Sequence, residues 1–346
     1  MRMQKMNSPL WIVLGTVCVS SVFAAPSALA AENGKKQVVM IAGRPSHGPG
    51  QHEHNAGIQL LGKCLKAGAG DRVEVQWFLN GEWPGEAVLK KADTVVMYSD
   101  GGGGHVARGH FGELAEQLAR GCGLICLHYA VEPAYEPENW PEFVRNPDGK
   151  PGKQTVFNPA RTSKGEGVKE LLEGMGGYFE QYWSVNPHWS ADFKELPKHP
   201  ISNGVKPFST NDEWYYHMRF RAGMKRVTPI LSDLPPTSTT ERGEGPHAGN
   251  PEQKREVLEL KQPQHVAWAV ERENQGRGFG FTGGHFHAGW ANDNQRKLVL
   301  NAILWTAKAE VPAGGVESVV SAEEMAQNLD PKPAAKAPAP KAPAAK

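Results

Sequence analysis

Residues 37–67 read QVVMIAGRPSHGPGQHEHNAGIQLLGKCLKA, and this stretch decides the fold. After Gln37 the next five residues are an unbroken apolar run, the pattern of a strand buried on both faces of a parallel sheet over 37–42. A loop rich in Gly and Pro follows and carries His47, His52 and His54. From residue 55 the apolar side chains recur at 58, 61, 64 and 65, the spacing of a helix packed on the sheet. Strand, loop and helix form the first unit of a doubly wound α/β fold. Ligands in such sheets bind beyond the carboxyl ends of the strands.

Working outward, strands are expected at 72–79 (RVEVQWFL), 94–99 (TVVMYS) and 123–130 (GLICLHYA), with a helix at 110–120. After residue 131 the regularity breaks. Residues 131–260 read as an irregular insertion over the strand ends, with short strands at 213–220 (EWYYHMRF) and 227–231 and a polar loop at 235–255. Strands return at 265–271 and 278–282, and a last helix runs over 293–308 with Asp293 as its N-cap. The α/β domain therefore spans 36–312.

Both ends read differently. Residues 1–30 have a basic start (Arg2, Lys5), an apolar core and a small-x-small site at 28–30, the three parts of a secretory signal. The chain is expected to be secreted or periplasmic, with no stable membrane span after cleavage. Residues 31–35 are a short linker, and 313–346, ending in PKPAAKAPAPKAPAAK, read as a disordered tail rich in Pro, Ala and Lys. The 346 residues carry a net charge of +1, so nothing points to nucleic acid as a partner. Cys64, Cys122 and Cys126 are read as buried free thiols. Four residues of strand would hold the last two about 13 Å apart, too far for a bridge.

Thirteen histidines carry the chemical signal, because of where several fall. Four strand ends on one predicted edge bear imidazole beside glycines: His47, His52 and His54 after the first; Asp100, glycines 101–104 and His105 after the third; His128 after the fourth; and Gly283, Gly284, His285 and His287 after the last. Imidazole serves as acid, base or metal ligand near neutral pH. His52-Glu53-His54 lacks the i, i+4 spacing that places two ligands on one helical face. His285 and His287 point the same way if extended, so His128, His285 and His287 are the candidate ligands of a divalent metal such as zinc. The alternative is histidines that hydrogen-bond a polar substrate. On an extended 213–220, Glu213, Tyr215 and His217 share one face, a carboxylate, aromatic and imidazole set suited to sugar. His47, His54, Asp100, Tyr215, His217, His287 and Trp290 are the candidate substrate-binding residues. The glycine run at 101–104 is not GxGxxG, and no phosphate-binding GxxxxGK[ST] or GxSxG occurs.

Four segments taken together, IAG at 41–43 before the His-rich loop, GLICLHYA at 123–130, DEWY at 212–215 and GGH at 283–285 before a Trp and the last helix, resemble the ThuA-like (trehalose-utilisation) family over residues 36–312. The resemblance implies a flavodoxin-like, class I glutamine amidotransferase-like doubly wound parallel sheet with the insertion over the strand C-terminal ends. In amidotransferases the elbow after the central strand holds Cys. Here His128 matches that position and Cys126 lies two residues earlier, so glutamine amidotransferase chemistry is not expected. His285 falls where such folds place a catalytic His, and Glu213 matches the family's acidic position.

The resemblance further implies a sugar or oxidised-sugar partner, and three readings stay open. In the first, His128 or His285 abstracts the C2 proton of a 3-keto-disaccharide, and the glycosidic oxygen leaves by elimination. In the second, Glu213 with Asp100 or Asp293 performs ordinary glycoside hydrolysis. In the third, Trp183, Trp189, Trp214, Tyr216 and Trp290 form the surface of a non-catalytic carbohydrate-binding protein.

Overall fold

The computed structural model describes residues 34–134 and 165–332. The expected signal and the last fourteen residues lie outside the described residues, as does part of the expected cap. In chain order the strands are β1 (Lys36–Ala42), β2 (Val73–Phe78), β3 (Thr94–Tyr98), β4 (Gly123–Leu127), β5 (Gly177–Tyr178), β6 (Trp189–Phe193), β7 (Phe208–Asp212), β8 (Arg219–Phe220), β9 (Val227–Asp233), β10 (Gln264–Glu271) and β11 (Arg277–Phe281). The helices are α1 (His54–Ala69), α2 (Glu86–Leu89), α3 (Phe111–Ala119), α4 (Val168–Met175), α5 (Pro251–Lys254), α6 (Asp293–Thr306) and α7 (Ala322–Met325).

Seven strands form one sheet in the order β2-β1-β3-β4-β11-β10-β9. β2, β1, β3, β4 and β11 are parallel; the apolar runs of β1, β3 and β4 are buried on both faces, while edge strand β2 alternates buried and exposed residues. Val38 and Met40 face the core under α1 and α6, and Val39 and Ile41 face the core under α3 and α4. Period-two alternation sends neighbouring side chains to opposite faces. The chain steps from β1 out to β2 and returns to β3 on the other side, so a crevice opens at the β1/β3 carboxyl ends.

Several local expectations are corrected. β9 and β10 are antiparallel additions at the sheet edge, so residues 227–231 belong to the main sheet and not to a cap. α4 also packs on β4 and β11. Among the described residues the cap's strands form two small ribbons, β5–β8 and β6–β7. Residues 213–218 form no strand beyond a bridge at Tyr216, because residues 214–218 are all buried and His217 turns left-handed (φ 55°). The last helix is capped by Asn292, which accepts from the amides of Asn294 and Gln295, with Asp293 in the first turn.

The tail does not begin at 313. Val316 is fully buried in the core, and Val320 and Met325 pack on it. Asn55 donates to Asp330 at 2.7 Å, and Lys332 pairs with buried Glu53 at 3.2 Å. Residues 313–332 therefore strap across α1 and the His-rich loop. Among the described residues no helix is long and apolar enough to cross a membrane.

Candidate metal centre

Four loops converge beyond the parallel strand ends. β4 stops at Leu127, and His128 takes a left-handed conformation (φ 55°) that starts a tight 3-10 turn. A non-glycine residue held there at a strand end is strained and recurs at functional sites. After β11, Gly284 (φ 106°) turns the chain so that His285 faces the same space. Asp212, at the end of β7, accepts the backbone N–H groups of Glu213, Gly284 and His285 at 2.8, 2.7 and 2.9 Å. That bond set ties Glu213 to His285. His52 (φ 46°) lies one turn before α1, and its amide donates to the His285 carbonyl at 2.9 Å.

The result is a cluster of His52, His128, His285 and Glu213 whose donor atoms all lie within 4.8 Å of one another. His52 Nε2 is 3.0 Å from both His128 Nε2 and His285 Nδ1. Glu213 Oε2 is 3.2 Å from His285 Nδ1 and 3.6 Å from His128 Nε2. The Tyr215 hydroxyl reaches His128 Nε2 at 3.2 Å.

Partners fix the tautomers. His128 Nδ1 lies 2.9 Å from the Thr282 carbonyl, which can only accept, so Nδ1 carries the proton. His52 Nδ1 lies 2.6 Å from the Asp100 carboxylate and donates to it. Both Nε2 atoms then present lone pairs to one another at 3.0 Å. Burial pushes both imidazoles below their ordinary range, which opposes the extra proton that would relieve this contact. Two bare nitrogens aimed at one point, each with its other nitrogen donating outward to carboxylate or carbonyl, is how ligating histidines are held. Burial raises the Glu213 carboxyl, but the imidazoles of His188, His285 and His128 outweigh it and hold the group ionised. His285 Nε2 is buried without a partner among the described residues. Three nitrogens and a carboxylate suit a divalent ion of the zinc type.

The sequence-predicted residues divide. His128, His285, Glu213 and Tyr215 meet. Asp100 orients His52, and burial alone would raise its carboxyl, but the His52 bond brings it down to about 2. His47 stacks on His52 with centroids 3.6 Å apart. His54 lies beneath, its Nδ1 donating to the Arg44 carbonyl and its Nε2 3.9 Å from Asp100.

Three residues fall elsewhere. His287 begins a 3-10 turn, so it does not share a face with His285. Its Nε2 bonds the Met325 carbonyl, and it is no member of the cluster. His217 stacks on Trp183 and faces Glu256 at 3.4 Å. Trp290 is a fully buried core residue against Phe281 and Tyr98.

His52 is the cluster member that sequence reasoning missed. Its HEH triplet has no helical pair spacing, and only the left-handed turn frees it from α1. His188 was missed too. It lies 3.5 Å from Glu213 Oε1 and lines a cavity of about 430 Å³ with Glu213, Asn186, Ser238, Thr239 and Arg242. Cys126 is fully buried in β4, and burial pushes its thiol far up, so no thiolate is at hand.

A sequence model of the ThuA family, described as trehalose utilisation, matches residues 38–306. This chain belongs to the ThuA family. Among solved structures, a ThuA-like protein from Bacteroides uniformis is 16% identical over 82% of this chain and 95% of its own, with a TM-score of 0.47. The mmIFT52 N-terminal domain (10% identity, 80% and 100% coverage, TM-score 0.42) and a glutamine amidotransferase from Thermotoga maritima (8%, 79% and 99%, 0.38) are also similar. No match was found among curated proteins. The ThuA domain is a mostly parallel seven-stranded sheet flanked by helices, with His128 at the strand-to-turn position after β4.

Proposed function

We propose that this ThuA protein is an exported, metal-assisted enzyme of disaccharide catabolism that cleaves or isomerises a sugar oxidised to its 3-keto form. The observation that carries the reading is the pair of unprotonated Nε2 atoms of His52 and His128, 3.0 Å apart, beside His285 and the ionised Glu213. These four residues would hold the ion, with zinc the best match to the donor set. A divalent ion bound there supplies Lewis acidity toward a carbonyl or enediolate oxygen.

Holding the ion would take His128 Nε2 and His285 Nδ1; His128 Nδ1 is bonded to the Thr282 carbonyl and His285 Nε2 is buried, so the base is sought on the cavity wall. His188 stands there, half exposed and next to Glu213. It takes the C2 proton that the neighbouring 3-keto group acidifies. The C1–O bond then breaks, and the departing oxygen is protonated from solvent or from His188. Asn186, Ser238, Thr239 and Arg242 line the same cavity and suit sugar hydroxyls.

Two observations weigh against the other readings. Conventional hydrolysis needs a second carboxyl about 5–9 Å from the first. Asp100 is already bonded to His52 and Ser46, and Asp293 pairs with Arg296 on α6. A stacking surface for a binding protein needs exposed rings, yet Trp189, Trp214, Tyr216 and Trp290 are buried.

The test is product analysis with the mature chain on trehalose and on 3-keto-trehalose. Turnover of the keto-sugar alone is expected, abolished by dialysis against a chelator and restored by Zn²⁺. His188→Gln should lower kcat at least about 100-fold. Equal turnover of the unoxidised sugar, or sugar binding with no turnover by the metal-loaded protein, would overturn the reading.

A further inference from the structure

The opposite edge of the sheet carries a second feature. The β10–β11 hairpin turns at residues 272–276, beside the amino-terminal end of β4 and away from the histidines. Arg272, the first residue of that turn, is 6% exposed. Its Nη2 donates to the Cys122 carbonyl. Its Nε and Nη1 are buried with no partner among the described residues. A guanidinium offers five N–H donors in a fixed fork, and burying it with so few acceptors is costly unless something completes the set. Gly276 makes room for it: a Cβ there would lie 2.0 Å from Nη2. The chain has therefore built a cradle for a cation it does not neutralise.

Arg272 lines a cavity of about 470 Å³ between the end of α3, the end of α4 and the 221–226 turn. Arg221, Lys225 and Arg226 line it as well, against two acids, Glu173 and Glu273. Glu273 pairs with Lys225 at 2.9 Å. Among the described residues no carboxylate comes within ion-pair distance of Arg221, Arg226 or Arg272. Arg221 is pinned by its Nε and Nη2 to the carbonyls of Leu172 and Glu173, at 3.1 and 2.6 Å, which aims the rest of its fork outward. Arg226 is held left-handed (φ 59°) on the rim, and its side chain makes no hydrogen bond or ion pair among the described residues. It also lines a neighbouring cavity of about 340 Å³ with Arg277 and His199.

We infer that this cavity is an oxyanion site for a phosphate or sulfate group, seated on the Arg272 fork and closed by Arg221 and Arg226. The two surplus positive charges match a doubly charged group better than a carboxylate, and paired N–H donors match its oxygens. The inference uses none of the cluster residues, so its failure and that of the metal centre are independent.

The test is thermal unfolding of the mature chain in sodium phosphate, sodium sulfate, dextran sulfate and sodium chloride at matched ionic strength. At about a hundredfold excess over Kd, a bound oxyanion raises Tm by about 5 °C beyond chloride. Arg226→Gln on the rim and Arg272→Lys in the cradle should each remove most of that rise. If Arg272→Lys does not fold, Arg226→Gln decides alone. A response to the inorganic anions makes the ligand a free oxyanion. A response to dextran sulfate alone makes it an ester group on a polymer. A rise no larger than with chloride, or one that survives Arg226→Gln, overturns the site.

Discussion

His128 and His105 both follow buried parallel strands, and they do opposite things. His128 aims a bare nitrogen at the cluster. His105 spends both nitrogens on backbone, Nε2 donating to the Ala130 carbonyl at 3.0 Å and Nδ1 accepting the Ala107 amide at 3.0 Å. Burial brings its pKa down to about 4, against an ordinary value of 6.5. The unfolded chain therefore takes up a proton first as pH falls. The stability from neutral His105 is complete above 6.5 and is lost between 6.5 and 4, by up to about 3 kcal/mol. Denaturant titrations across that range should show the decline, shallower in His105→Gln. A second prediction concerns Asp100, which touches the cluster only through His52. Asp100→Asn should weaken metal affinity about 10- to 100-fold with little change in Tm, read by competition with a chromophoric chelator. The sequence placed imidazoles at this edge correctly as a group. It could not separate His52 from His54 or His285 from His287, because single left-handed residues and a 3-10 turn decide where each ring points.

At the scale of elements, the central parallel strands β1, β3 and β4 were legible because burial on both faces leaves little but apolar runs, and edge strand β2 was legible by its alternation. Residues 213–220 were misread because a buried irregular segment can mimic alternation. Glu213 and Tyr215 do face one site, but they get there through a loop held by Asp212, not through a pleat. Packing also places β11, whose carboxyl end delivers His285. Gly278 lies so close to α4 that a Cβ would meet the Gly174 carbonyl at 1.9 Å. Gly278→Ala should cost about 1–3 kcal/mol of stability through overpacking. Far from the cluster, it should leave metal stoichiometry unchanged in the folded fraction.

At the scale of the whole molecule, the C-terminal strap joins what the sequence kept apart. Residues 313–332 show no strand or helix period and few apolar anchors, so they read as tail. Long-range partners order them instead: Glu53 accepts the Gly50 amide at 2.8 Å on one oxygen and the Asp330 amide at 2.8 Å on the other. The same loop carries His52. A chain ending at residue 320 should therefore fold with faster amide exchange over 44–54 and weaker metal binding, and unchanged exchange in that loop would show the strap to be passive. The account stands or falls on the ion itself. Elemental analysis of the protein, purified with neither a histidine tag nor a chelator, should find about one divalent ion per chain, absent from folded His52→Ala and His128→Ala. A metal-free wild type that takes up no added zinc, or full metal content in both variants, would contradict it.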